Sequence, residues 1–318
     1  MTRAALLLLF LSSTILADWQ SRHERGEQLL AQGRTEEAIA ELTAGLAEAT
    51  GRGRGAVLDV LGRAEHQSGR YQLAKRHLEA SVPLWEAGSR ARAAALNNVG
   101  SVYLALEEYA HAEIAFRQAL DIMPGEAKIW QNAGQAQFLL GRHREAEASL
   151  RQALSLADGE LSSSIFADLA NLQHAAKQYA KAADILREAI AQTGPGRQRA
   201  RMRANLGVIH WKRSAKNEAA FQLRLALDEM EAAVGPEHPD VAKILEDYQE
   251  VLRKTGQKQE AIAAAKRAAA IRLAFTRHTS DRRTVVDWRE LFQGKGLPLP
   301  LDPIPAHLHT GQEYALGH

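Results

Sequence analysis

The sequence contains no cysteine in its 318 residues. This absence excludes disulfides, zinc–thiolate sites, iron–sulfur clusters, cysteine nucleophiles and the acylated cysteine of a bacterial lipoprotein. An excess of one charge is missing as well, because 40 basic and 38 acidic residues leave a net charge of +2. Because the charges are so evenly balanced, we expect no broad basic surface that would bind nucleic acid or an anionic membrane.

The chain also lacks an apolar run long enough to cross a bilayer, which takes roughly 20 residues. The apolar segment near the start covers only 4–17, follows Arg3, and ends in Ala17 before Asp18. This arrangement is typical of a signal peptide over 1–17, and predicts an exported protein, either periplasmic or secreted. An uncleaved segment that anchors the N-terminus to a membrane is the alternative.

The dominant feature of the remaining chain is a repeat with a period in the thirties. A small residue begins each copy, an alanine follows twelve residues later, and a large apolar residue follows four residues after that. The small residues are Gly26, Gly62, Gly100, Gly134, Ala170 and Gly207, with Gln249 in the last copy. The alanines are Ala38, Ala74, Ala112, Ala146, Ala182, Ala219 and Ala261, and the large residues are Leu42, Leu78, Phe116, Leu150, Leu186 and Leu223.

This spacing predicts stacked pairs of helices. A small residue lets two helix backbones approach closely, and the large apolar residue fills the space beside the crossing. Turn glycines such as Gly33 and Gly141 separate the two helices of a pair, and Pro124, Pro195 and Pro236 follow second helices, where proline stops a helix from continuing. No alternating strand pattern interrupts these helices, so the fold class is all-α.

The residues Val99-Gly100, Tyr103, Ala112, Phe116, Ala119 and Pro124 closely match the signature of the tetratricopeptide repeat, which this sequence resembles over residues 18–275. The resemblance implies a right-handed α-solenoid of about seven helical hairpins. The linker 235–242 is similar to the longer repeat of kinesin light chains and their bacterial relatives. Gln249 and Ala265 depart from the signature, so looser packing is expected in the last hairpin.

Residues 276–318 differ in composition from the repeats. Val285, Trp288, Leu291 and Phe292 have roughly helical spacing and predict a short capping helix over the last repeat. The prolines after Gly294 favour an extended, flexible tail.

Residues with the chemistry of an active site are scarce. The segment 23–27 approaches a helical zinc-protease motif but has no second histidine, and the glycine–arginine segment 51–55 is expected to be a linker between hairpins. His307 and His309 lie in the tail without ordered partner ligands. We therefore expect no enzymatic activity, no cofactor and no metal site.

The strongest functional signal is a row of residues two positions before each small crossing residue. Six of its seven members are polar: Glu24, Val60, Asn98, Asn132, Asp168, Asn205 and Asp247. In the family that the sequence resembles, asparagines in this row line the concave groove and bind the main chain of an extended peptide. We expect such a peptide-binding groove to include Asn98, Asn132, Asp168, Asn171, Asn205, Lys128 and Arg201. A groove that is merely solvated would also be polar, and this alternative stays open.

Four arginines of the sixth copy, Arg197, Arg199, Arg201 and Arg203, offer an alternative contact for nucleic acid. Their spacing divides them between two helix faces, which favours a solvated face or an acidic partner over a nucleic acid. The sequence therefore predicts a scaffold that binds a protein or an extended peptide. A structural protein that self-assembles through the ends of the solenoid is the second possibility, and the oligomeric state is left open.

Overall fold

The computed structural model describes residues 19–280, and within these residues every regular element is helical. Helix α1 occupies residues 19–31, and a short 3₁₀ turn lies at Val82–Leu84. The other helices are α2 (Thr35–Leu46), α3 (Gly51–Gln67), α4 (Tyr71–Ser81), α5 (Arg90–Ala105), α6 (Tyr109–Ile122), α7 (Ala127–Leu139), α8 (His143–Leu156), α9 (Gly159–Ala175), α10 (Tyr179–Gln192), α11 (Arg197–Lys212), α12 (Lys216–Val234), α13 (Pro239–Lys254) and α14 (Lys258–Ser280).

Successive helices form hairpins, as the repeat predicted, and the hairpins belong to two compact units. The first unit spans Met1–Ala157 and contains α1 to α8, and the second spans Asp158–His318 and contains α9 to α14. Within each unit the first helix of one hairpin contacts the first helix of the next: α3 contacts α5, α5 contacts α7, α9 contacts α11, and α11 contacts α13. One side of each unit is therefore formed by first helices alone.

The hairpins are held together by the predicted contact between a small residue and a large apolar residue. A Cβ atom added at Gly100 would come within 2.5 Å of the buried Phe116 ring, and one at Gly134 would come within 2.8 Å of Leu150 Cγ. Even alanine could not fit there without displacing its neighbour. The two residues sixteen positions apart therefore mark the point where the two helices of a hairpin approach most closely. The predicted all-α fold of stacked hairpins is confirmed.

The turns inside the hairpins use a left-handed backbone conformation. Gly33, Gly69, Gly141 and Gly256 have φ between 75° and 88° there. In the remaining turns Glu107, Lys177 and Ser214 adopt the same region, with φ of 60°, 56° and 62°. The left-handed conformation costs conformational energy for residues other than glycine. The packing of the surrounding hairpins must therefore stabilise these three turns.

Two expectations about local structure are wrong. The segment 51–55 is the first part of α3 and not a linker, because its glycines admit the Trp19 ring beside Gly53 and the Trp85 ring beside Gly55. The last hairpin is not loosely packed, since Val251 and Leu252 are fully buried and share a core cluster with Ala261 and Ala264.

The boundaries expected at both ends of the repeat region fall close to the limits of the described residues. Helix α14 continues past 275 to Ser280. The expected signal peptide (1–17), capping helix and proline-rich tail lie outside the described residues. Among residues 19–280 there is no helix with the length and apolar character that crossing a bilayer requires.

Candidate functional site

In the first unit, asparagine side chains meet on the side formed by first helices. Asn132 Nδ2 of α7 donates a hydrogen bond of 2.8 Å to Asn97 Oδ1 of α5. Asn132 is buried, with 6% of its surface exposed, whereas Asn97 and Asn98 are half-buried. No hydrogen bond within residues 19–280 engages the Asn98 amide. We call Asn97, Asn98 and Asn132 the amide face.

The amide face differs in one respect from the row of ligand-binding residues that the sequence predicted. Asn98 and Asn132 were both expected to contact a ligand, but the amide nitrogen of Asn132 is already engaged by Asn97. Neighbouring helices are offset, so the residue two positions before Gly134 meets the residue three positions before Gly100. Asn97 is the residue that the sequence reasoning missed, although its place beside Asn98 in a doublet was a usable signal.

Lys128 lies at the beginning of α7, about one turn before Asn132. Its ammonium group donates a hydrogen bond of 3.0 Å to Gln131 Oε1. Gln131 is fully buried and Lys128 is half-buried. This lysine supplies positive charge on the same helix as Asn132.

A cavity of about 260 Å³ lies between α6, α7 and α8, and the aromatic side chain of Trp130 lines it. The Trp130 indole donates a hydrogen bond of 2.7 Å to the carbonyl oxygen of Pro124. At the same cavity the buried Glu113 accepts hydrogen bonds from Arg117 at 3.1 Å and from Arg142 at 2.8 Å. Trp130 therefore faces α6 and not the amide face, and the buried carboxylate of the cavity is satisfied by the protein itself.

In the second unit the expected residues Asp168, Asn171 and Asn205 are half-buried on α9 and α11. Asp168 and Asn171 each interact with other residues. For Asn205 no hydrogen bond occurs among the described residues, so its amide, like that of Asn98, can both donate and accept. Asn98 and Asn205 are thus equivalent positions in different units.

The arginines of α11 are held by two carboxylates. Arg197 Nε and Arg201 Nη2 donate hydrogen bonds of 2.8 and 2.9 Å, respectively, to Asp240 Oδ2. On the other helix face Arg199 and Arg203 both pair with Glu229, with Arg203 Nε at 3.2 Å. The predicted division of the arginines between two faces is confirmed.

Asp240 is the most enclosed of these groups, with 7% of its surface exposed. Burial acts to raise the pKa of Asp240, but Arg201 and Arg197 outweigh it, so the pKa lies below its usual value. His238 Nδ1 accepts a hydrogen bond of 3.1 Å from the Asp240 amide and caps α13. Burial lowers the pKa of His238, which favours the neutral imidazole, and the tautomer with Nδ1 unprotonated can accept this capping hydrogen bond.

These pairs change what the arginines can do for a ligand. Arg201 was expected in the peptide groove, and the same run offered an alternative contact for nucleic acid. All four guanidinium groups are instead within ion-pair distance of Asp240 or Glu229. Their main role is to join α11 to α12 and α13, because a ligand would have to compete with a partner already in place.

A second polar cluster in the first unit was not predicted. Asp59 of α3 accepts hydrogen bonds from the Ser81 hydroxyl and, at 2.9 Å, from Trp85 Nε1. Burial raises the pKa of Asp59, against the effect of these two hydrogen bonds. The cluster fastens the connection between α4 and α5 to α3. Among the described residues, no group of three or more histidine, aspartate or glutamate residues is placed to hold a metal ion.

Comparison with known proteins supports the repeat directly. Models of the tetratricopeptide repeat match residues 53–125, 127–159 and 199–240. These ranges cover hairpins in both units. No curated protein matches the chain. The similarity of the linker 235–242 to kinesin light chains is not decided by these matches and stays a prediction.

Solved structures share the fold at low sequence identity. A tetratricopeptide repeat protein from Parabacteroides merdae is 16% identical, with a TM-score of 0.59 over 80% of this chain and 93% of its own. The C-terminal part of a TPR repeat-containing protein from Cytophaga hutchinsonii is 15% identical, with a TM-score of 0.56 over 78% and 95%. PilF of Pseudomonas aeruginosa is 16% identical, with a TM-score of 0.52 over 66% and 92%.

The repeat matches, the helical hairpins and the glycine–leucine contacts agree with one another. Tetratricopeptide repeats are scaffolds for interactions between proteins. The chain contains tetratricopeptide repeats, in residues 53–125, 127–159 and 199–240.

Proposed function

We propose that the protein binds an extended segment of another protein along the amide face of its first unit. The observation that carries this proposal is the Asn132–Asn97 hydrogen bond, which joins amides from two neighbouring hairpins. This bond holds the side chains in place beside Asn98, whose amide has no partner among the described residues. Because Asn98 is half-buried, its side chain loses less conformational entropy on binding than that of a fully exposed asparagine.

An asparagine amide suits the main chain of a peptide because it donates and accepts at once. The face can therefore pair with a peptide unit whatever the ligand side chain is. A net hydrogen bond contributes roughly 0.5–1.5 kcal/mol, whereas micromolar affinity requires about 8 kcal/mol. Further contacts must supply the difference, and the charge of Lys128 favours an acidic or mixed ligand. We therefore expect the protein to bind its ligand with weak to moderate affinity.

The Asn98→Ala variant tests the amide face without disturbing the Asn132–Asn97 pair. The probe is the tightest peptide selected on the unmodified protein from a random twelve-residue library. Loss of two hydrogen bonds should weaken its binding about tenfold, measured by titration calorimetry. Asn217→Ala is the matched control, because Asn217 is an exposed asparagine on the second helix α12 and should leave the affinity unchanged.

Circular dichroism of the Asn98→Ala variant should match that of the unmodified protein, since the side chain has no hydrogen bond among the described residues to lose. A folded Asn98→Ala variant with unchanged affinity would move the site away from the amide face. The double variant Asn98→Ala with Asn132→Ala is less informative, because removing Asn132 also breaks a buried hydrogen bond and should cost about 1 kcal/mol of stability.

The second unit carries the equivalent residue Asn205, and we propose that it offers a similar amide to a ligand. Its surroundings differ, because the neighbouring Arg201 is tied to Asp240. A peptide at Asn205 therefore gains less from the positive charge of α11 than the sequence alone suggests.

We further propose that the protein is exported after cleavage of residues 1–17. The described fold begins at Trp19, whose ring packs against Gly53, so cleavage after Ala17 leaves every described packing contact in place. Protein isolated from its native host should then have the intact mass of a chain that begins at Asp18. A soluble product from the cytoplasm that retains Met1 would contradict export.

A further inference from the structure

Cations are concentrated on one edge of the second unit, at the turns inside its three hairpins. These turns join α9 to α10, α11 to α12 and α13 to α14. Because α9 contacts α11 and α11 contacts α13, the C-terminal ends of these first helices, and the turns that follow them, lie side by side. We call this set of residues the basic edge: Lys177, Lys181, Lys212, Arg213, Lys216, Lys254 and Lys258.

The basic edge is open to solvent and lacks internal neutralisation. Six of its residues are exposed, and Lys212 is half-buried. None of the seven forms an ion pair or a side-chain hydrogen bond within residues 19–280. The nearby pairs Arg253–Glu250 and Arg187–Asp184 neutralise themselves. Two exposed carboxylates, Glu218 and Glu260, lie near the starts of α12 and α14 and are the negative charges among the described residues of this edge.

The helix dipole favours Lys212 and Lys254, which lie in the last turns of α11 and α13, but it does not explain the cations at the start of the second helices. Lys181, Lys216 and Lys258 lie in the first turns of α10, α12 and α14, where the helix dipole is positive and favours anions. The hairpin turn before α2 shows the favourable alternative, because Glu36 and Glu37 occupy the first turn of that helix. Lys177 also occupies a left-handed position, with φ of 56°, that glycine fills more easily.

Two large apolar side chains are exposed close to the basic edge. Ile262 lies one helical turn along α14 from Lys258 and is 49% exposed. Phe221 lies five residues into α12, about 7.5 Å from its start, and is 50% exposed. Lysines and arginines that surround exposed phenylalanine and isoleucine are typical of surfaces that lie on anionic lipid.

We propose that the basic edge docks on an anionic membrane surface, with Phe221 and Ile262 entering the headgroup region. Nucleic acid fits less well, since Phe221 is the one exposed aromatic ring near the described turns, whereas stacking along a strand needs several such rings. Trp211 packs against the core of the second unit, and Tyr179 packs against the His174 ring at 5.6 Å. A long acidic protein segment shares the required charge but has no use for the two apolar side chains.

The test uses the full chain and two kinds of vesicle, one of pure phosphatidylcholine and one with equal parts of phosphatidylcholine and phosphatidylglycerol. Co-sedimentation should show binding to the second kind only, and raising the salt should weaken it. The triple variant Lys181→Gln, Lys216→Gln and Lys258→Gln should bind at least about thirtyfold more weakly, since a cation near such a surface contributes about 1 kcal/mol. The variant should stay folded, because each change removes a charge that the helix dipole disfavours.

A matched control separates the basic edge from net charge. Arg54, Arg76 and Arg144 are exposed residues of the first unit, so changing all three to glutamine alters the net charge equally and leaves the basic edge intact. This control should keep nearly full vesicle binding. Phe221→Ser should weaken binding several-fold without changing its salt dependence, because only the apolar contribution is lost.

Three results would overturn the proposal: equal binding to both kinds of vesicle, equal losses in the triple variant and its control, or tighter binding to polyglutamate or a single-stranded oligonucleotide than to anionic vesicles. Asn98→Ala should leave vesicle binding unchanged. Failure of the peptide site and failure of the membrane site can therefore be told apart.

Discussion

The Phe116→Ala variant is expected to lose about 3–5 kcal/mol of stability, the range for removing a large buried aromatic side chain. Phe116 is fully buried and packs directly on Gly100, where two helices cross most closely. It also belongs to the core cluster that links α5, α6 and α7. The first unit should therefore melt roughly 10 °C earlier, measured by circular dichroism at the helix band.

Ile114→Ala provides the control from the same helix. Ile114 lies two residues before Phe116 but is 49% exposed, so its removal should change stability by no more than about 0.5 kcal/mol. Equal melting temperatures for the two variants would show that the glycine–phenylalanine contact does not hold the hairpin together. The predicted fold of the first unit would then be wrong at its best-defined point.

Removing the carboxylate of Asp240 should produce the second large effect. The Asp240→Ala variant leaves Arg197 and Arg201 without their shared partner and removes two charge-assisted hydrogen bonds from a buried group. Both arginine side chains are partly exposed, at 38% and 25%, so water can recover part of the loss. We expect a loss of about 2–3 kcal/mol, measured by urea denaturation of the second unit.

Asp184→Ala is the matched control for this change. Asp184 pairs with Arg187 across one helical turn, and both side chains are largely exposed. An exposed pair of this kind contributes less than about 0.5 kcal/mol. If Asp240→Ala costs no more than Asp184→Ala, the arginines of α11 are simply solvated, and they become available again as a site for an acidic ligand.

The core of the hairpins could be predicted from the sequence because its rules are local. The spacing from Gly100 to Ala112 and Phe116 depends only on helix geometry and a short turn, both of which repeat along the chain. Residues 51–55 were misjudged for the same reason. Their glycines read locally as a linker, but they serve contacts with Trp19 and Trp85, which lie far away in sequence.

The polar contacts of the candidate site could be predicted only in part. Periodicity placed Asn98 and Asn132 on first helices, but it could not give the offset between neighbouring helices that pairs Asn132 with Asn97. The division of the α11 arginines between two helix faces was predicted correctly. Their partner Asp240 was not predicted, because it lies 39 residues beyond Arg201. Pairs this distant in sequence depend on how hairpins stack, which spacing alone does not specify.

The basic edge was hidden by the overall balance of charge. A net charge of +2 suggests an even surface, but the fold places many cations at the turns of the second unit and pairs others with carboxylates at the start of α11. The sum of charges is known from composition, and their separation into an open edge and an internally neutralised cluster appears only once the helices are stacked.

The most direct test of the central proposal is a scan of the selected peptide ligand by N-methylation of its backbone amides. Methylation removes one main-chain donor at a time and leaves each ligand side chain unchanged. If the amide face binds the main chain, methylation at one or two positions should weaken binding about tenfold in the unmodified protein and much less in Asn98→Ala. Equal tolerance of methylation at every position, with losses only on changing ligand side chains, would contradict main-chain recognition by the amide face.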